Sequence, residues 1–144
     1  MRILSVDWGQ ARIGLALSDP TGTLASPLMT LHEKDKRAQI ERVVEVARDH
    51  EVERILVGIP YTLDGEEGTM ARWARKYAEK LERVSGIEVV GVDERLSSVA
   101  ADWALEAADE GRSRRGKRRD KGDRDSAAAA IILQEYLESM SADS

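Results

Sequence analysis

Three acids in this sequence sit where carboxylates could do chemistry. Asp7 closes the apolar run "RILSVD", Glu94 follows the run "IEVVGVD" with Asp93 beside it, and Asp125 heads "DSAAAAIILQEYL". Taken singly, each has an ordinary explanation. Asp125 reads as a helix N-cap, Asp93 or Glu94 as a loop acid, and Asp7 as a tie for the Trp8–Gly9 turn. An Asp in an otherwise apolar strand is nonetheless costly unless its charge is met. The chain has no Cys and only two His, His32 and His50. Clustered carboxylates without thiolates or paired imidazoles favour a hard cation, Mg²⁺ or Mn²⁺, over a His/Cys zinc site. One or two such ions between carboxylates suit phosphodiester hydrolysis: one activates water, and the other stabilises the leaving 3′ oxygen.

A basic run supplies the second half of that chemistry. Residues 112–124, "RSRRGKRRDKGDR", hold eight Arg or Lys and two Asp, although the chain as a whole carries a net charge of −5. Arg114, Arg115, Lys117, Arg118, Arg119, Lys121 and Arg124 are therefore candidate phosphate contacts that would draw a nucleic-acid backbone toward Asp125. A solvated loop that only aids solubility is the plainer reading of the same run. Arg12 and Arg95 each follow a candidate acid closely, and could bind phosphate or neutralise the acids. Trp8 and Tyr61 are candidates for base stacking, though isolated aromatics more often pack.

These residues need a scaffold. "RILSVD", "IGLALSD" and "LASPLMTL" are three short extended segments joined by tight turns, which predicts an antiparallel meander. The turn between the first two holds Gly9. "KRAQIERVVEVARDH" places Ile40, Val43, Val44 and Ala47 at helical spacing. "VERILVG" is a buried strand, and "EGTMARWARKYAEKLERVSG" is an amphipathic helix with a stripe of Met70, Trp73, Ala74, Tyr77 and Leu81, stopped by Gly86. "IEVVGV" is a fifth strand. Ser97 can cap a helix over "SVAADWALEAADEG". Residues 111–123 contain no apolar side chain and are expected to be a mobile basic loop. A last helix is expected to open at Asp125, with a frayed tail over 140–144.

The predicted order is thus β-β-β-α-β-α-β-α-α: an α/β fold with a five-stranded mixed sheet and helices on both faces, in one domain over residues 1–139. If the fourth strand lies beside the first, Asp7 and Glu94 flank it at about 9.5 Å between backbones. Gly58 would then leave room between them for an ion and a phosphate. The loop "GIPYTLDGEEG" lacks the GKS or GKT ending of a P-loop; Gly58, Pro60 and Gly65 shape its turns and a rim. No run approaches the 18 or so apolar residues that span a bilayer. A soluble, cytoplasmic protein with no membrane partner is expected.

The segments "VDWGQARIGLALSD", "ILVGIPYTLDGEEG", "VVGVDERLSSVAA" and "DSAAAAIILQEYL" occur in the order seen in the RuvX/YqgF family, which the chain resembles from residue 2 to about 138. The resemblance implies a ribonuclease H-like fold similar to RuvC-type Holliday junction resolvases. It also implies a nuclease role in forming the 5′ end of 16S ribosomal RNA from its precursor. The family's acidic positions fall on Asp7, Glu94 and Asp125, with Asp93 as a supporting acid. Its first-motif arginine falls on Arg12, its strand-four glycine and proline on Gly58 and Pro60, and its DER arginine on Arg95. Ala11 stands where the family usually has a basic residue. "DERLSS" replaces the usual DER-x-T-T and keeps hydroxyls at Ser97 and Ser98, which join the expected substrate contacts.

Three readings remain open on sequence. The first is a metal-dependent nuclease for precursor 16S ribosomal RNA, working near the ribosomal subunit. The second is a nuclease for branched DNA, which would require a two-fold homodimer rather than a monomer. The third is a non-catalytic RNA-binding assembly factor, in which the acids only cap and tie turns.

Overall fold

The computed structural model describes residues 1–9, 12–60, 68–93 and 121–142. In chain order these form β1 (Ile3–Asp7), β2 (Arg12–Ser18), β3 (Ala25–His32), α1 (Lys36–Asp49), β4 (Arg54–Ile59), α2 (Thr69–Ser85), β5 (Glu88–Asp93) and α3 (Lys121–Ala142). The strands make one sheet in the order β3-β2-β1-β4-β5. β1 pairs antiparallel with β2, and β2 with β3. β4 lies parallel to β1 on one side and to β5 on the other. The meander followed by crossover units is therefore the architecture expected from the strand spacing. β3 is an edge strand, which is where the ladder tolerates Pro27, a residue that cannot donate a hydrogen bond.

Period-2 alternation divides the strand side chains between two cores. Leu4, Val6, Ile13, Leu15, Ile55, Val57 and Ile59 face α1 and α2. Ile3, Ala16 and Leu56 face α3, where Ala129, Leu133 and Leu137 cover them. In α1, Ile40, Val43, Val44 and Ala47 are buried, as their spacing predicts, and Asp35 caps the helix by accepting from the Arg37 N–H. Gly86 ends α2 in the left-handed region at φ 72°, where a residue without a Cβ is unstrained.

Two elements depart from the sequence expectation. The buried stripe of α2 is Ala71, Ala74, Tyr77, Leu81 and Ser85, while Met70 and Trp73 are 41% and 42% exposed. The helix is rotated so that small residues meet the sheet and the large Trp73 stays outside. α3 begins at Lys121 rather than at Asp125. Residues 121–123 are thus helical rather than part of a loop, and the helix runs on to Ala142. Apolar periodicity carries no signal in a polar first turn, so the sequence marks only where α3 begins to pack. The helix expected over 98–111 and the basic segment up to residue 120 lie outside the described residues.

Candidate active site

Alternation along β1 directs Ser5 and Asp7 to the α3 face, alongside Ile3. Asp7 is the last residue of the strand, and its partner across the β1–β2 ladder is Gly14. Gly14 in turn abuts the backbone of α3. A Cβ there would meet the carbonyl group of Asp125 and come within 2.7 Å of the Ser126 nitrogen. Gly14 thereby brings β2 into direct backbone contact with α3 at Asp125, one cross-strand neighbour from Asp7. Asp125 lies four residues before Ala129 and eight before Leu133, so it shares their sheet-facing side of the helix. Two of the three candidate acids therefore meet at one corner of the sheet. Both are only partly exposed.

Side chains farther along α3 set its position and rotation. Gln134 Oε1 accepts from the Ala25 N–H at 3.0 Å, and its amide donates to the Thr23 carbonyl at 3.3 Å. Tyr136 Oη accepts from Arg54 at 2.8 Å, and Arg54 also pairs with Glu88 at 2.9 Å. One arm of α3 is thus tied to the start of β3 and another to β4 and β5. The Q-x-Y spacing in "ILQEYL" holds the helix at two widely separated points of the sheet.

Arg12, the first residue of β2, places its Nε 3.3 Å from Asp125 Oδ2. The pairing offsets the charge of Asp125, and the Arg12 side chain is about one-third exposed. Gly9 holds the turn before it: a Cβ at that position would lie 2.6 Å from the Arg12 carbonyl oxygen. Trp8 packs against the α1–α2 core with its ring 5.8 Å from Tyr77, a packing role rather than an exposed stacking platform.

β4 separates Asp7 from the end of β5, as the strand order requires. Val6 pairs with Val57, and Gly58 follows and pairs with Val92, so Gly58 stands at the level of Asp7. Asp93 ends β5 at the same edge, opposite Ile59. Val90 and Val92 face α3, so alternation turns Asp93 to the other face, away from Asp7. Pro60 follows β4 directly.

Asp125 is not an N-cap: it is the fifth residue of α3. Lys121 and Arg124 belong to the same helix. Glu94, Arg95, Ser97, Ser98, Arg114, Arg115, Lys117, Arg118, Arg119, Gly65 and Tyr61 lie outside the described residues. Gly14 is the positioning residue that the sequence reading passed over. A glycine inside "RIGLAL" was the available signal, because glycine within a strand often marks a close backbone approach.

Among the described residues no three His, Cys, Asp or Glu side chains form a cluster able to hold a metal ion. The donors that do meet, Asp7 and Asp125, offer only oxygen. His50 caps the far end of α1, its carbonyl accepting from Arg2 just before β1 starts, and His32 ends β3 as the cross-strand partner of Arg12. A pair of carboxylates on a side-chain-free glycine floor fits a hard divalent cation and not a soft one.

The family model described as "RuvX: Holliday junction resolvase" matches residues 1–139. The chain belongs to the RuvX family. A RuvX relative from Anaeromyxobacter sp. (strain K), named "Putative pre-16S rRNA nuclease", is 44% identical over 138 residues, covering 96% of this chain and 97% of the relative. One of the same name from Endomicrobium trichonymphae is 40% identical over 138 residues, covering 95% of each. Among solved structures, T. thermophilus RuvC in complex with a Holliday junction substrate superposes with a TM-score of 0.59 at 19% identity, covering 98% of this chain and 96% of that one. That likeness shows a shared ribonuclease H-like fold. Membership of RuvX gives the chain nuclease-type catalytic potential.

Proposed function

We propose that this RuvX chain is a divalent-metal-dependent nuclease acting on RNA, with precursor 16S ribosomal RNA as its substrate. The observation that carries the reading is the convergence of Asp7 and Asp125 through Gly14. Asp7, Asp125 and Glu94, the residue after Asp93, would hold Mg²⁺ or Mn²⁺. Such an ion, when bound, supplies an activated water and offsets charge on the phosphate undergoing hydrolysis.

The protein's own residues do the remaining work. Gly14 holds the Asp125 backbone against the sheet, so the two carboxylates stay fixed relative to one another. Asp93, on the opposite face, is a supporting acid. Arg12 limits the repulsion between the acids and is close enough to take up a phosphate oxygen as substrate arrives. Gly58 leaves the space beside Asp7 open. Arg95, Ser97, Ser98 and the basic side chains at 114, 115, 117–119, 121 and 124 would contact the sugar–phosphate backbone. Among the described residues no helix is long and apolar enough to cross a membrane, and a cytoplasmic enzyme working on pre-ribosomal particles is the setting we propose.

The RNA substrate follows the names of the relatives that match nearly the whole chain. The family description and the RuvC fold favour a second substrate, a four-way DNA junction. A panel of labelled substrates separates them: a precursor 16S 5′ segment, generic single-stranded RNA and a four-way junction, each with Mg²⁺ or Mn²⁺. Site-selective cutting of the precursor segment supports the RNA reading. Paired symmetric cuts in the junction by a homodimer replace it with the resolvase reading. Binding without cutting by purified protein supports the assembly-factor reading instead.

A further inference from the structure

On the face of the sheet away from Asp7 and Asp125, α1 and α2 border a cleft of about 270 Å³. Trp8 and Tyr77 lie against each other in it, and Trp73, Lys36, Lys76 and Lys80 line the rest together with Ile40. Three features distinguish it from an ordinary helix–helix groove. Its described lining holds three lysines and no acid, in a protein of net charge −5. Trp73 is 42% exposed, with the Lys36 ammonium 5.7 Å from its ring centre. The Tyr77 hydroxyl, in a side chain only 8% exposed, has no hydrogen-bond partner among the described residues.

We propose that this cleft binds a single-stranded segment of nucleic acid, one base stacking on Trp73 while Lys36, Lys76 and Lys80 contact the flanking phosphates. A base has the π-face that an exposed indole accepts, and the phosphates on either side match the lysines. Lys36 already rests over the ring and needs only to move its ammonium to a phosphate as the base arrives. Lys76 and Lys80, at i and i+4, lie one turn apart on α2 and track a backbone along the helix. Tyr77 closes the floor of the cleft with its buried ring.

The cleft also lies within reach of the acids. Trp8 is the residue after Asp7, about 3.8 Å away between Cα atoms, and α1 and α2 both start at the edge of the sheet where β1 ends. A strand leaving the carboxylates can pass over this edge into the cleft. The proposal rests on the preceding reading only in taking the ligand to be nucleic acid.

The test is fluorescence anisotropy of a labelled 12-nucleotide single-stranded RNA in the presence of chelator, so that binding is read without cleavage. Wild type is compared with Trp73→Ala and with Lys76→Gln/Lys80→Gln, substitutions at exposed positions whose folding is checked by circular dichroism. We expect Trp73→Ala to weaken binding about tenfold or more. The double lysine variant should weaken it and flatten the dependence of log K on log salt by about 1.4. Equal affinity for wild type and both cleft variants overturns the proposal and leaves the nuclease reading intact, as does no binding by wild type. Loss of binding in the cleft variants, with no cleavage by wild type under any metal, upholds the cleft and removes the nuclease reading. A dimer that Trp73→Ala disperses, with oligonucleotide affinity unchanged, assigns the cleft to a second copy and overturns the proposal.

Discussion

Gly14 and Asp125 meet backbone to backbone, with no side chain between strand β2 and helix α3 at that point. Because Gly14 is also the cross-strand partner of Asp7, this single contact fixes the spacing of two acids separated by more than a hundred residues of chain.

Gly14→Ala should therefore damage the site more than the fold. The added methyl group meets helix backbone, which cannot swing aside as a side chain can, so the first turns of α3 must shift. A cost of roughly 1–3 kcal/mol is expected, in the range of overpacked cores, with cleavage falling by more than the loss of folded protein explains. Gly91→Ala is the matched control. Its methyl group would meet only the Ile59 side chain, at 3.2 Å, and should cost less than about 1 kcal/mol. Urea denaturation of both variants beside a cleavage assay checks this.

Arg12→Gln separates charge neutralisation from stability. The Arg12–Asp125 pair is partly exposed, so its loss should change stability by only about 0–1 kcal/mol. Removing a cation beside Asp125 should raise the affinity for Mn²⁺ several-fold while weakening the hold on substrate phosphate. Calorimetric titration with Mn²⁺ checks the first effect, and KM the second. Unchanged Mn²⁺ affinity would mean that Asp125 does not bind the ion.

The turn between β2 and β3 carries a pH signature. Asp19 accepts hydrogen bonds from the Thr21 hydroxyl at 2.6 Å and from the N–H groups of Thr23 and Leu24 at 2.7 and 3.1 Å. These bonds favour the charged form and lower its pKa to about 2, against about 3.9 in the unfolded chain. A depressed folded pKa means that the contribution is fully present above about pH 4 and is lost as the pH falls through about 2. An NMR titration should find the Asp19 carboxyl midpoint near 2, and Asp19→Asn should remove this part of the acid sensitivity. A midpoint near 4 would show that the turn does not hold the carboxylate in solution.

Leu133, fully buried between α3 and the sheet, anchors the helix that presents Asp125. Leu133→Ala should cost about 2–5 kcal/mol. Activity per folded molecule should be retained well below the lowered melting temperature, because Gln134 and Tyr136 still hold the helix in register.

Much of this arrangement was legible in the chain itself. The short turn after Asp7 forces β1 and β2 into a hairpin, and the crossover through α1 returns β4 parallel to β1. Together they place Asp7 and the end of β5 on either side of β4. Other features depend on distant neighbours that a local pattern does not contain. The stripe of α2 admits two rotations. Packing on the sheet selects the one with Ala71 and Ala74 inward and Trp73 outward. The polar first turn of α3 has no apolar period to announce it. Gly14 matters because of Asp125, which a helix far along the chain lays against it.

The most direct test of the proposed site pairs cleavage with binding in wild type, Asp7→Asn, Asp125→Asn and Glu94→Gln, using the precursor 16S 5′ segment with Mn²⁺. Wild type is expected to cut at a defined site. Each variant should bind the RNA about as well as wild type yet lose cleavage by a factor of a hundred or more, and chelator should abolish it in all. Cleavage that survives Asp7→Asn undiminished would contradict a catalytic role for the corner where Asp7, Gly14 and Asp125 meet.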